Sequence, residues 1–127
     1  METIQQLIKV EKEAREYGFD WPNTEMIFEQ IISECEEIKN SIKLEEGVKR
    51  IQEEIGDLMH AVYSLCIFMN CDPIETLKIT TDKFETRFSI LKKLAQEEGY
   101  NTLKGQNIDV LMKFWNEAKH KLNNNEI

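Results

Sequence analysis

Two pairs of acids stand three residues apart in this chain: Glu34 and Glu37 in SECEEI, and Glu54 and Asp57 in EEIGDLMH. Side chains at i and i+3 of a helix share a face. Four carboxylates brought together repel one another unless they point into water, take up protons, or share a divalent cation. Donors made only of oxygen suit hard cations, Mg²⁺ first and Mn²⁺ next. Spacing alone is not selective in a chain with 24 acidic residues, since Glu13/Glu16 and Asp82/Glu85 fit the same pattern. The neighbours distinguish the first two pairs. Glu34 and Glu37 bracket Cys35 and precede Ile38, and Asp57 leads into the most apolar stretch of the chain. These acids therefore read as lying at the edge of a core, with a solvated acidic face as the alternative. A carboxylate-bridged pair of irons asks for two Glu-x-x-His pairs. Asp57-x-x-His60 matches one of them only in part, and His60 is expected to be a hydrogen-bonded core or surface histidine.

The elements that must position these acids read as helices. Residues 2–16 place Ile4, Leu7, Ile8 and Val10 among charges, a short amphipathic helix, and Gly18 and Pro22 break it. A second helix spans about 24–43, with Met26, Ile27, Ile31, Ile32, Cys35, Ile38 and Ile42 at helical spacing. After a connection around Gly47, a third covers about 48–70. DPIE (72–75) starts a fourth, with Asp72 as cap and Pro73 in the first turn, and it continues toward Gly99. A last helix covers about 107–122. No stretch reads as a sheet. The expected fold is all-α and bundle-like, four main helices plus the short first one. The second and third helices should be antiparallel neighbours because their connection is short.

The bulk numbers agree. A chain of 127 residues is expected to form one domain, residues 1–127, with 122–127 as a frayed tail. It is 41% apolar and 31% charged, ordinary for a globular helical protein. A net charge of −8 argues against wholesale nucleic-acid binding, which needs a basic face. The apolar run at 58–71 is too short to span a bilayer and carries His60 and Ser64, so it reads as a buried core helix and not as a membrane segment. Cys35, Cys66 and Cys71 form no CxxC pattern, and no secretory signal precedes them, which suits free thiols in a reducing cytoplasm.

SECEEI followed by EEIGDLMHAV resembles the ExxE…ExxD signature of the MazG-like nucleotide pyrophosphohydrolases. The likeness extends to three further segments in order. GFDWP (18–22) resembles the approach to the first metal-binding helix, TDKFETRF (81–88) the downstream Lys-x-x-x-Arg segment, and FWNEAKHK (114–121) the closing Trp-x-x-x-Lys segment. The resemblance implies an all-α fold assembling as a homodimer or homotetramer. It also implies Mg²⁺-dependent hydrolysis of a nucleoside triphosphate to monophosphate and pyrophosphate, in a housekeeping role against non-standard, damaged or excess nucleotides. By motif position Glu34, Glu37, Glu54 and Asp57 would be the metal ligands. Lys83 and Arg87 would contact the phosphates, with Trp115 and Lys119 near the nucleotide.

One departure bears on the mechanism. Many relatives carry a second glutamate just before the first metal-binding one, and here Ser33 stands there. Glu53 is a candidate substitute for the general base, although one residue round a helix is about 100° away. The competing reading is a non-catalytic helical bundle serving assembly or regulation, with the acids as a solvated face, Lys83 and Arg87 as surface charges, and Trp115 as core.

Overall fold

The computed structural model describes residues 2–124. Among them the chain is all-α, as expected, with helices α1 (Glu2–Tyr17), α2 (Thr24–Lys43), α3 (Val48–Phe68), α4 (Pro73–Glu97) and α5 (Ile108–Asn123) and no strand. Leu122 and Asn123 of the expected tail are helical, and residues 125–127 lie outside the described residues. No helix among the described residues is long and apolar enough to cross a membrane.

The helix starts follow from local chemistry. Asn23 caps α2, its Oδ1 accepting the Met26 N–H at 3.0 Å, and Asn107 caps α5 by accepting the Val110 N–H at 3.1 Å. Asp72 accepts the Ile74 N–H at 3.0 Å just ahead of Pro73, whose ring suits a first helical turn. The turn from α2 to α3 reverses through Glu45 (φ 52°) and Gly47 (φ 96°). α3 ends in a Schellman turn. Asn70 takes φ 61°, its N–H bonds the Ile67 carbonyl at 3.0 Å, and the Cys71 N–H bonds the Cys66 carbonyl at 2.9 Å.

The chain divides into two compact units within α4, one ending at Thr76 and the other beginning at Leu77. In the first, α2 and α3 pack as an antiparallel pair. Ser41 near the end of α2 bonds Glu54 near the start of α3, while Glu34, farther from the turn, feels the charge of Asp57. α1 runs parallel to α3, since Glu11 meets His60 and, four residues on in both helices, Arg15 meets Ser64. Buried on α2 and α3 are the apolar Ile27, Ala61 and Ile67 and, beside them, the polar Glu34, Ser41, Glu54 and Ser64. A small interface that buries two carboxylates has given up apolar contact for something else.

The apolar run of α3 is buried only in part, which departs from the expected core helix. Ile55, Met59, Val62 and Met69 are 42–56% exposed, and on α2 Phe28, Ile32 and Ile42 are 50–62% exposed. The reason is geometric. Apolar residues lie on more than one face of both helices, and their mutual contact covers one stripe of each. Ile55, Met59 and Val62 on α3, and Phe28 and Ile32 on α2, stand at three- and four-residue steps, the spacing of a second packing seam.

In the second unit the buried residues are Ile90, Ala95, Phe114 and Ala118. Tyr100 stands edge-on to Phe114 at 5.6 Å, and Lys113 bonds Glu98 at 2.9 Å.

Candidate functional site

Each buried glutamate of the first unit has a polar partner one helical turn before it. Gln30 donates its amide to Glu34 Oε1 at 2.6 Å. Arg50 Nε reaches Glu54 Oε1 at 3.1 Å, and the Ser41 hydroxyl donates to Glu54 Oε2. Both oxygens of Glu54 are thus satisfied. Glu34 differs, because its Oε2 is buried and has no hydrogen-bond partner among the described residues. Burial pushes the Glu34 carboxyl above its ordinary range, the Gln30 bond opposes this, and the neighbouring charges of Glu37 and Asp57 add to it. Glu37 and Asp57 themselves are exposed.

Glu34 and Asp57 line one wall of a groove of about 730 Å³ formed by α1, the 18–22 segment, α2 and α3. Leu7, Val10, Phe19 and Met26 give it an apolar side. Its floor is a hydrogen-bonded cluster. Trp21 donates its indole N–H to the Ser64 hydroxyl at 2.8 Å, and Arg15 donates to the Ser64 carbonyl at 2.9 Å. Arg15 also pairs with Glu11 at 3.3 Å and Asp20 at 3.5 Å, and its guanidinium lies 5.6 Å from the Phe68 ring centroid. His60 Nε2 lies 2.7 Å from Glu11 Oε1. The expectation of a hydrogen-bonded histidine thus finds its partner on α1.

The fit to a metal is therefore uneven. All-oxygen donors and an unpartnered buried carboxylate oxygen suit a hard cation. Yet among the described residues no group of three or more His, Cys, Asp or Glu side chains is arranged to hold one. Glu34, Glu37 and Asp57 lie within electrostatic reach of one another, while Glu54 is held by Arg50 and Ser41. Glu117 stands three residues before His120, the spacing a di-iron pair needs, and His120 bonds Asn124. Ser33 and Glu53 are both exposed, and Glu53 pairs with Arg50 at 3.5 Å.

Lys83, Arg87, Trp115 and Lys119 all belong to the second unit. The Arg87 guanidinium lies 5.7 Å from the Trp115 ring centroid, and Phe84 tilts against the same ring at 5.8 Å. Arg87 Nε is buried without a hydrogen-bond partner among the described residues. Lys83 is exposed and Lys119 half-buried.

Sequence reasoning missed Gln30, Arg50, Ser41, Ser64, Glu11 and Arg15. The first two carried a signal, because each stands four residues before a candidate ligand, on the same helical face. Nothing in the sequence marks the two serines from surface serines until their helices are paired.

No family model matches the chain. It is similar to the nucleoside triphosphate pyrophosphohydrolase/pyrophosphatase MazG of Thermotoga maritima, 32% identical over 111 residues, which is 87% of this chain and 42% of that protein. It is similar to the uncharacterized protein YabN of Bacillus subtilis, 38% identical over 69 residues, 54% of this chain and 14% of the relative. A nucleoside triphosphate pyrophosphohydrolase of Escherichia coli K12 is 22% identical over 116 residues, 89% of this chain and 43% of the relative. The chain spans less than half the length of each of these relatives.

Proposed function

This chain is MazG-like in sequence, and from that premise we propose that it hydrolyses nucleoside triphosphates to monophosphate and pyrophosphate, using Mg²⁺ or, in its place, Mn²⁺. The observation that carries this reading is Glu34 Oε2, a buried carboxylate oxygen on the wall of an open groove with no hydrogen-bond partner among the described residues. A fold does not retain such a group for stability, since burying an unpartnered charge is costly.

The residues that would hold the cation are Glu34, Glu37, Glu54 and Asp57. When bound, the metal would supply charge neutralisation at the phosphates and a water acidified for in-line attack. The chain's own contributions are distinct. A triphosphate carries about four negative charges, so an acidic corner needs cationic help. Lys83 and Arg87, one helical turn apart, are proposed to meet phosphate oxygens. Trp115 offers a flat apolar face near the nucleotide, with Lys119 beside it in sequence order. The groove over Trp21 has one apolar side, an acidic wall and a polar floor, the makeup of a small-molecule site.

We place the enzyme in the cytoplasm as a housekeeping activity and propose that it assembles as a homodimer or homotetramer. The uncovered apolar stripes on α2 and α3 support assembly, because a second copy would remove them from water.

The test is to incubate the chain with canonical and modified NTPs and dNTPs, with Mg²⁺ or EDTA, and resolve the products. Mg²⁺-dependent monophosphate plus pyrophosphate is expected. Diphosphate plus phosphate would overturn the bond assignment. No turnover with Mg²⁺ or Mn²⁺ across the panel would favour the non-catalytic bundle.

A further inference from the structure

Cys66 and Cys71 lie at the end of α3, and the acids Glu54 and Asp57 lie toward its start. The Schellman turn there determines their relation. In such a turn the N–H of the second residue past the cap bonds the carbonyl five positions earlier, which brings those two residues side by side. Here those two positions are Cys71 and Cys66, joined by the 2.9 Å main-chain bond, with Asn70 in the left-handed conformation that the turn requires. The two positions that a pair of apolar side chains commonly fills carry cysteines here, and Cys71 Sγ lies 3.7 Å from the Met69 carbonyl oxygen. Cys66 Sγ lies 3.5 Å from the Cys71 carbonyl oxygen and 3.4 Å from Thr76 Oγ1. Both thiols are free, Cys71 exposed and Cys66 half-buried. The remaining cysteine, Cys35, sits on α2.

We propose that Cys66 and Cys71 form a reversible dithiol–disulfide pair, oxidised by a low-molecular-weight disulfide of the glutathione class. The Cys71 thiolate attacks one sulfur of that disulfide. A mixed disulfide forms and one small thiolate leaves, taking up a proton from solvent. Cys66 then gives its proton to solvent and attacks the Cys71 sulfur, displacing the second small thiol. Two protein thiols lose two electrons and two protons, and one small disulfide becomes two thiols. The Thr76 hydroxyl, within reach of Cys66 Sγ, can stabilise its thiolate by donating a hydrogen bond. The bond spans a single turn that is already closed by the main chain, so the disulfide adds a covalent clasp to an existing bend. Exposed disulfides of this kind are the ones that exchange readily and serve regulation.

The test uses the full native chain. It is equilibrated with mixtures of oxidised and reduced glutathione, quenched in acid, labelled with N-ethylmaleimide and digested with trypsin. Peptide 51–78 carries both cysteines of the pair, and peptide 16–39 carries Cys35. The expected result is peptide 51–78 without label and lighter by two hydrogens, with one label retained on Cys35, all reversed by dithiothreitol. Native folding should favour closure over the urea-unfolded chain by about tenfold in equilibrium constant, because the turn holds the two residues together. Two labels on peptide 51–78 under oxidising mixtures would overturn the proposal. So would a stable glutathione adduct on Cys71, a link between two chains, or equal closure in the native and unfolded states.

Discussion

Gln30 holds one oxygen of Glu34 at 2.6 Å, and the other oxygen of that carboxylate is buried without a hydrogen-bond partner among the described residues. Burial raises the Glu34 carboxyl, and the sign of the resulting pH dependence follows. Below the unfolded pKa both states hold the proton and stability is unaffected. As pH rises through the window between the unfolded and the raised folded value, the unfolded chain loses its proton first and stability falls. Glu34→Gln removes that fall. The metal-free variant should melt higher than the parent at pH 7 and no higher at about pH 3. Thermal scans across pH without divalent cations measure this, and a variant less stable at every pH would refute it.

Glu54→Gln keeps the size of the side chain and an oxygen for the Ser41 hydroxyl but removes the negative charge. Turnover with Mg²⁺ should fall by at least about a hundredfold. Helicity should be unchanged by circular dichroism. Activity surviving the change would remove Glu54 from the site.

Arg87 and Trp115 invite a split of roles. Arg87→Lys keeps the positive charge and loses the guanidinium 5.7 Å from the indole centroid. If Arg87 meets phosphate, kcat/KM should fall by about tenfold or more with a melting temperature close to the parent. A variant that only melts earlier, with kcat/KM intact, would make the pair structural.

Ser64 accepts the Trp21 indole N–H inside the groove floor. Ser64→Ala leaves that donor unsatisfied and should cost about 1–3 kcal/mol of folding stability, read by urea denaturation. A loss below a few tenths of a kcal/mol would mean the indole finds another acceptor.

Light scattering should report a dimer or tetramer at micromolar concentration. A charge at Ile32 or Met59, as Ile32→Asp or Met59→Glu, should shift the chain toward monomer while circular dichroism keeps its helical signature. A strict monomer in the parent would overturn the assembly proposal.

Much of this was legible in the sequence, and the limits are physical. The bounds of α2 follow from periodicity and the Asn23 cap, and the start of α4 follows from Asp72 and Pro73, because local chemistry sets both. The two acidic pairs lie where their spacing put them, on adjacent antiparallel helices. What periodicity could not separate was Ile27, fully buried, from Ile32, 62% exposed, since both belong to apolar stripes of the same helix and only tertiary pairing selects one. The groove floor was also invisible. Glu11 and Arg15 have the spacing of any surface ion pair, and their burial depends on α1 lying along α3, which no local signal specifies.

Arg50 gives the acidic corner a different character from an open anionic trap. Glu54 already has a counter-ion, tethered one helical turn away at 3.1 Å. On the proposed reading, a divalent ion arriving at Glu54 takes part in an exchange, and its apparent affinity is the difference between two cations competing for one carboxylate. Monovalent ions, offering no more charge than the guanidinium they would evict, gain little by entering. The same exchange would leave the Arg50 guanidinium with Glu53 alone, on the exposed side of the helix, with donors freed to meet the next anion. Neutralising Arg50 would thus tighten the grip on metal while weakening the discrimination between ions.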